Sequence, residues 1–185
     1  MTSQRLTVSP SSTSAPRAAR GLDEFAEKYR QFFPRVFAYI YGRVYNVHVA
    51  EDLAADVFEK AYVKADSLRN DEAFSTWLFT IARNVVISHA RKAGRETVVD
   101  HDVLKAIAPS IGSVESEILM REEASEVAGL LRQFPQREQD VVALKFDAEL
   151  SNPQIAHIMD ISEANVRVIL FRTLRRLREM MTARR

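Results

Sequence analysis

Residues 151–181 read SNPQIAHIMDISEANVRVILFRTLRRLREMM, and the spacing within them decides the fold. Ser151 followed by Gln154 is a capping-box pattern, and Pro153 stands in the first turn, where a missing N–H costs nothing. A short helix therefore starts here and sets Ile155, Ala156 and Met159 on one face. Ile161 and Ser162 make a tight connection, with Ser162 placed to cap a longer helix. In that helix Val166, Leu170, Leu174 and Leu177 recur at helical spacing and are predicted to pack against the first helix. Two helices joined this way form a helix-turn-helix. The outer face of the second helix presents Asn165, Arg167, Phe171, Arg172, Arg175 and Arg176. Arginine at the N-terminal end suits base edges in the major groove, and the later arginines suit phosphates. A helical hairpin with a basic outer face is also structurally ordinary, so spacing alone leaves both DNA binding and a solvated face open.

Working outward, residues 115–182 form one helical unit, interrupted at Pro135 and at 147–153. Residues 94–114 lose the periodicity and contain Gly94, Pro109 and Gly112, which marks a flexible linker. Extended at about 3.3 Å per residue it reaches roughly 65 Å, more than the ~34 Å of one duplex turn. Val103, Leu104, Ile107 and Ile111 make it less polar than an inert linker, which fits docking on a partner or a short helix. Residues 22–93 form another helical unit, with Phe25, Tyr29, Phe32, Val36 and Tyr39, then Leu53, Val57 and Ala61, at helical spacing. Pro34 is expected to kink its first helix, Gly42 to His48 to loosen that helix's end, and Asp71 to cap the helix containing Phe74, Trp77, Leu78, Ile81 and Val85. Residues 1–21 are rich in Ser, Thr, Pro, Ala and Arg, and the first twenty contain no acid, so a disordered tail is expected. That composition also fits an organellar transit peptide. The expected fold class is all-α: two small helical domains joined by a flexible linker.

The chain has 185 residues, and a hydrophobic content of 46% is enough to give each unit a core. No apolar run approaches the roughly 20 residues that cross a bilayer, so membrane insertion is not expected. The absence of cysteine excludes disulfides and thiolate metal sites and suits a cytoplasmic setting. His48, His89, His101 and His157 lack ligand spacing, so no metal or other cofactor is expected. No Gly-rich phosphate loop, nucleophile with its base or catalytic carboxylate pair occurs, which argues against an enzyme. The net charge of +1 conceals a segregation. Residues 51–72 carry seven acids against three bases, whereas residues 163–185 carry seven arginines against two acids. One face suits a basic partner and the other a polyanion, although both patterns also fit solvated helix faces.

Three further segments join the helix-turn-helix in a fixed order: AEDLAADVFEKAY (50–62), FSTWLFTIARNVVISHARK (74–92) and LRQFPQREQDVVALKF (131–146). Together they resemble the bacterial sigma-70 family, in its small extracytoplasmic-function group. The likeness covers the family's regions 2 and 4, at about residues 24–92 and 115–182.

The resemblance implies a non-enzymatic initiation factor that binds RNA polymerase core, through the clamp of the largest subunit and the flap, and recognises promoter DNA. It also implies an anti-sigma protein as a partner. It places Glu51, Asp52, Leu53, Asp56 and Phe58 on the core-binding surface. Acidity there steers and pairs with a basic partner surface, while Leu53 and Phe58 fit plain core packing equally well. Ala55 replaces a common Gln. For the minus-10 element the resemblance places Asn84 at a pocket for a displaced base, beside the loop from Ser67 to Phe74 with Arg69 and Asn70. Arg83, His89, Arg91 and Lys92 are placed to hold phosphates. Phe74 and Trp77 join this set, with core packing a competing role for Trp77, and Ser88 stands where an Asp is common. For the minus-35 element the match carries over Arg167, Phe171 and Arg172, with Val168 and Ile169 at places usually polar or basic. Both fit contact with thymine methyls or internal packing. Asn165, Arg175 and Arg176 complete the basic face. Two other readings are a helix-turn-helix regulator that binds an operator without polymerase core, and an interaction module whose basic helix binds an acidic protein.

Overall fold

The computed structural model describes residues 17–64, 73–93 and 126–183. Its elements are all helices: α1 (Arg17–Val44), α2 (Val47–Lys64), α3 (Phe74–Ala93), α4 (residues 126–131), α5 (Gln136–Phe146), α6 (Asn152–Met159) and α7 (Glu163–Thr182). The all-α expectation therefore holds. α1 starts at Arg17, ahead of the boundary that composition suggests, because Arg17, Ala18, Ala19 and Arg20 extend a helix already nucleated. Residues 1–16, the linker at 94–114, and Asp71 with the loop around it lie outside the described residues.

α1 runs on through Pro34, which removes one backbone hydrogen bond without ending the helix. The break comes at Tyr45 and Asn46. Tyr45 takes a left-handed φ of 53°, and the Val49 N–H donates to Asn46 Oδ1 at 3.0 Å, so Asn46 caps α2. The buried stripe of α2 is Val47, Ala50, Ala54, Val57, Phe58 and Ala61, whose alanines let its backbone lie close to α1. α3 closes this unit with Leu78, Phe79, Ala82 and Val86, and Phe79 meets the Tyr39 ring edge-on at 5.9 Å.

In the second unit the local signals in 151–163 act as their chemistry requires. The Ser151 N–H and hydroxyl both donate to Gln154 Oε1 at 2.9 Å, and the Asn165 N–H donates to Ser162 Oγ at 3.2 Å. Between α6 and α7, Asp160 takes the left-handed conformation and lets the chain turn within two residues. Ile155, Met159, Val166 and Leu170 are buried together, as expected. Leu177 packs instead with Leu130 and Phe134, in a cluster of its own, and Leu174 is 38% exposed. Length explains the difference: α6 has eight residues and α7 twenty, so α7 outruns α6 and its last turns meet the end of α4. Thr173, fully buried, donates to Glu138 Oε2 at 3.1 Å and ties α7 to α5.

The two units pack on each other, and one apolar cluster runs from Val36 and Leu78 through to Leu144, Leu150 and Ile155. Among the described residues no helix is long and apolar enough to cross a membrane.

Candidate nucleic-acid interface

The outer face of α2 presents Glu51, Asp52 and Asp56 to solvent, with Leu53 half-buried at its edge. Asp56 Oδ2 lies 3.6 Å from Lys60 Nζ and Glu51 Oε2 lies 3.6 Å from His48 Nδ1, exposed pairs one helical turn apart. Such pairs are weak, about 0.3–0.5 kcal/mol, and yield readily to a partner's cation. Phe58 is buried, with its ring 4.7 Å from Tyr29 and 6.1 Å from Phe33. It therefore holds α2 on α1 and positions the carboxylates rather than joining them at the surface.

Between α2 and α3 lies a cleft of about 470 Å³, bordered by Leu53, Asp56, Lys60, Lys64, Asn84, Ser88, His89 and Lys92. Its size falls in the roughly 300–1,000 Å³ range of ligand sites. Asn84 is exposed within it and has both an amide donor and an acceptor to offer; Arg91 and Lys92 stand exposed at the end of α3. Lys60 and Lys64 were not singled out from the sequence. They follow Asp56 at four-residue steps, the spacing that brings them onto the same edge of α2, and that signal was available. Phe74 is buried against Phe32, at 5.2 Å, and Trp77, at 5.8 Å, and Trp77 is half-buried against the core. Both rings pack in or against the core of this unit, and neither borders the cleft. Arg69 and Asn70 lie outside the described residues.

Around α7 the buried residues Val166, Leu170, Thr173 and Leu177 define the inner side. At 100° per residue, Val168, Phe171, Arg172 and Arg175 fall within roughly 50° of the opposite direction. Arg167 and Arg176 occupy the two flanks, about 180° apart, and Asn165 is half-buried in the first turn. Phe171 is 67% exposed and Val168 44%, so both are available for contact and neither packs in the core. Arg167 Nη1 donates to Glu163 Oε1 at 2.8 Å, Arg175 Nε lies 3.4 Å from Glu179 Oε1, and the Arg176 guanidinium sits 5.0 Å over the Phe134 ring.

Arg83 does not point to open solvent. Its Nε lies 3.8 Å from Asp140 Oδ2 on α5, while Arg43 Nε on α1 lies 3.0 Å from Asp140 Oδ1. Asp140 and Arg43 are almost fully buried. Burial holds the Asp140 carboxyl above its ordinary range, and the two guanidiniums act against that shift. Nearby, burial pushes Asp147 up to about 6, with Arg43 opposing, and also raises the buried Tyr39 hydroxyl. A Cβ on Gly42 would stand 3.1 Å from Asp147 Oδ2, so glycine there gives that carboxylate room against α1. Among the described residues no group of His, Asp or Glu could hold a metal ion.

Two family models match the chain: Sigma-70 region 2 over residues 29–96, and Sigma-70, region 4 over residues 130–179. The ECF RNA polymerase sigma factor SigM of Bacillus subtilis is 29% identical over 154 residues, covering 83% of this chain and 93% of the relative. The RNA polymerase sigma-H factor of Pseudomonas aeruginosa is 30% identical over 162 residues, covering 83% of this chain and 82% of the relative. Among solved structures, the sigma factor RpoE from Bartonella quintana, in complex with the anti-sigma factor NepR, superposes with a TM-score of 0.70 at 25% identity. The match covers 88% of this chain and 99% of that one.

Proposed function

Because the chain belongs to the sigma-70 family, in its extracytoplasmic-function group, we infer that it binds RNA polymerase core and directs it to promoters as a transcription initiation factor. The observation that carries this reading is the pairing of an exposed acidic face on α2 with an exposed basic face on α7, within the segments that match regions 2 and 4. Phosphodiester synthesis belongs to the polymerase, and this chain contributes binding and positioning only. It acts where the polymerase acts, in the cytoplasm.

Glu51, Asp52 and Asp56 dock on the basic surface of the polymerase clamp, with Leu53 at the edge of the contact and Phe58 beneath it. The α4–α7 unit sits at the flap and inserts α7 in the major groove of the minus-35 element. Arg167 reads base edges near the start of the helix, Val168 and Phe171 offer apolar contact to thymine methyls, and Arg172, Arg175 and Arg176 hold phosphates. At the minus-10 element the cleft between α2 and α3 holds one unstacked base, with Asn84 reading its edge and His89, Arg91 and Lys92 on the strand's phosphates. Flipping the base costs a few kcal/mol, so the pocket contributes only after melting has begun. An anti-sigma protein is the inhibitory partner, as NepR is found with RpoE.

Copurification tests the reading. The tagged chain is expected to retain polymerase core, and start-site mapping after overexpression is expected to return a common pair of promoter elements. A chain that binds an operator fragment alone and retains no core would be a regulator of another kind, and the proposal would fall.

A further inference from the structure

The contact between the two helical units is built around one carboxylate. Asp140 follows the polar first turn of α5 and precedes Val141, Val142, Ala143 and Leu144; it faces Arg43 at 3.0 Å and Arg83 at 3.8 Å, and is 4% exposed. Both guanidiniums share this carboxylate, and Asp147 is a second acid near Arg43, so parting the units takes both acids away and leaves Arg43 and Arg83 without their counter-charges. The surrounding cross-contacts are polar as well. Gln154 Nε2 donates to Ser75 Oγ at 2.8 Å, Arg43 Nη1 donates to Gln139 Oε1 at 2.7 Å, and Arg35 donates to the Ala148 carbonyl and lies 3.7 Å from Glu149. The Arg132 guanidinium stacks 3.7 Å over the Tyr45 ring. These polar contacts lie beside the apolar cluster that the two units share, and parting the units gives up both.

The same seam engages the helix that the proposed function assigns to melted DNA. Arg83 belongs to α3 one residue before Asn84, and Ser75 lies on the first turn of that helix. We propose that Asp140 is an internal latch that occupies Arg83 in place of a DNA phosphate, so that the closed packing withholds this arginine until the α4–α7 unit moves away. The inference rests on the reading of Arg83 as a phosphate contact. Opening leaves Arg43 and Arg83 without their carboxylate, and the nontemplate strand supplies the replacement anion at Arg83. Binding to melted DNA and release of the latch are thereby coupled, each favouring the other.

The absence of cysteine from the chain allows unique labelling. Spin or dye labels on the full chain at Ala90→Cys and Ala183→Cys report the separation of the units, and a mixed-sequence single-stranded 30-mer serves as the DNA probe. Asp140→Asn is expected to add a long-distance population and to tighten binding to the 30-mer about tenfold, as one freed charged contact implies. Asp160→Asn makes the same charge change at an exposed site and is expected to move neither reading by more than about twofold. Adding Arg83→Gln to Asp140→Asn is expected to remove the affinity gain while leaving the long-distance population. If the gain survives that double change, the assignment of Arg83 to phosphate fails, whatever the distances show.

In a separate chain, Ser75→Cys and Gln154→Cys are bridged with a short thiol-cleavable bismaleimide. The bridge is expected to weaken binding to the 30-mer, and cleavage to restore it. This comparison stands alone if Asp140→Asn loses its helical circular dichroism. Wild-type distances in a folded Asp140→Asn chain, an equal gain from Asp160→Asn, or equal affinity before and after cleavage of the bridge would each overturn the latch.

Discussion

Arg167→Ala is expected to cost about 1–3 kcal/mol of promoter affinity, roughly 5- to 150-fold, and to relax preference at one or two base pairs of the minus-35 element. The magnitude follows from where the side chain stands. Arg167 is exposed in the second turn of α7, the end of a recognition helix that meets base edges. Its partner in the free protein is Glu163, at 2.8 Å, in an exposed pair one turn apart. Such a pair holds about 0.3–0.5 kcal/mol, so turning the guanidinium from Glu163 to guanine offsets only a small part of the gain. Glu163→Gln is therefore expected to tighten binding about twofold, in the opposite direction to Arg167→Ala. Arg175 lies eight residues later, about 12 Å along the axis and rotated by roughly 80°. A major groove about 12 Å wide no longer surrounds it. Arg175→Ala is expected to weaken all sequences alike and to lower the salt slope by about one. The assay is a titration of holoenzyme against promoter variants at several salt concentrations. Uniform weakening by Arg167→Ala together with altered base preference in Arg175→Ala would refute the proposed orientation of α7.

Three further outcomes are expected. Charge reversal at Asp52 and Asp56, both exposed on α2, should abolish retention of polymerase core with helical circular dichroism intact; undiminished retention would exclude this face as the docking surface. Asn84→Ala should impair promoter opening by about 1–3 kcal/mol and closed-complex formation far less, which permanganate footprinting on duplex and premelted templates can separate. Asp147 carries its carboxyl raised from 3.8 to about 6. A raised folded-state pKa means the folded chain binds the proton more tightly than the unfolded chain. The stabilisation is complete below about pH 4 and is lost as pH rises through about 6, amounting to about 3 kcal/mol. Urea unfolding between pH 4 and 7 should show this slope in the wild type and a flatter one in Asp147→Asn, and identical slopes would show that Asp147 is not its source.

What was legible in the sequence was local. The Ser151 and Gln154 box, the Ser162 cap and the stripe of Ile155, Met159, Val166 and Leu170 depend on neighbours three to fifteen residues away, and all stand as read. The acidic face of α2 and the basic outer face of α7 were legible for the same reason, since helical period alone assigns their sides. Tertiary structure decided which of those residues remain at the surface. Phe58 and Phe74 share segments with surface residues, and only packing against Tyr29, Phe33 and Phe32 takes them inside. Leu177 turns to Leu130 and Phe134 because α7 is longer than its partner helix, a comparison of lengths that periodicity does not contain. Most of all, Asp140 reads as one more helical carboxylate until α1 and α3 bring Arg43 and Arg83 to it from 97 and 57 positions away in the chain. Nothing beside it in the chain, with Gln139 before and Val141 after, names those partners; which ones come depends on how the two units dock.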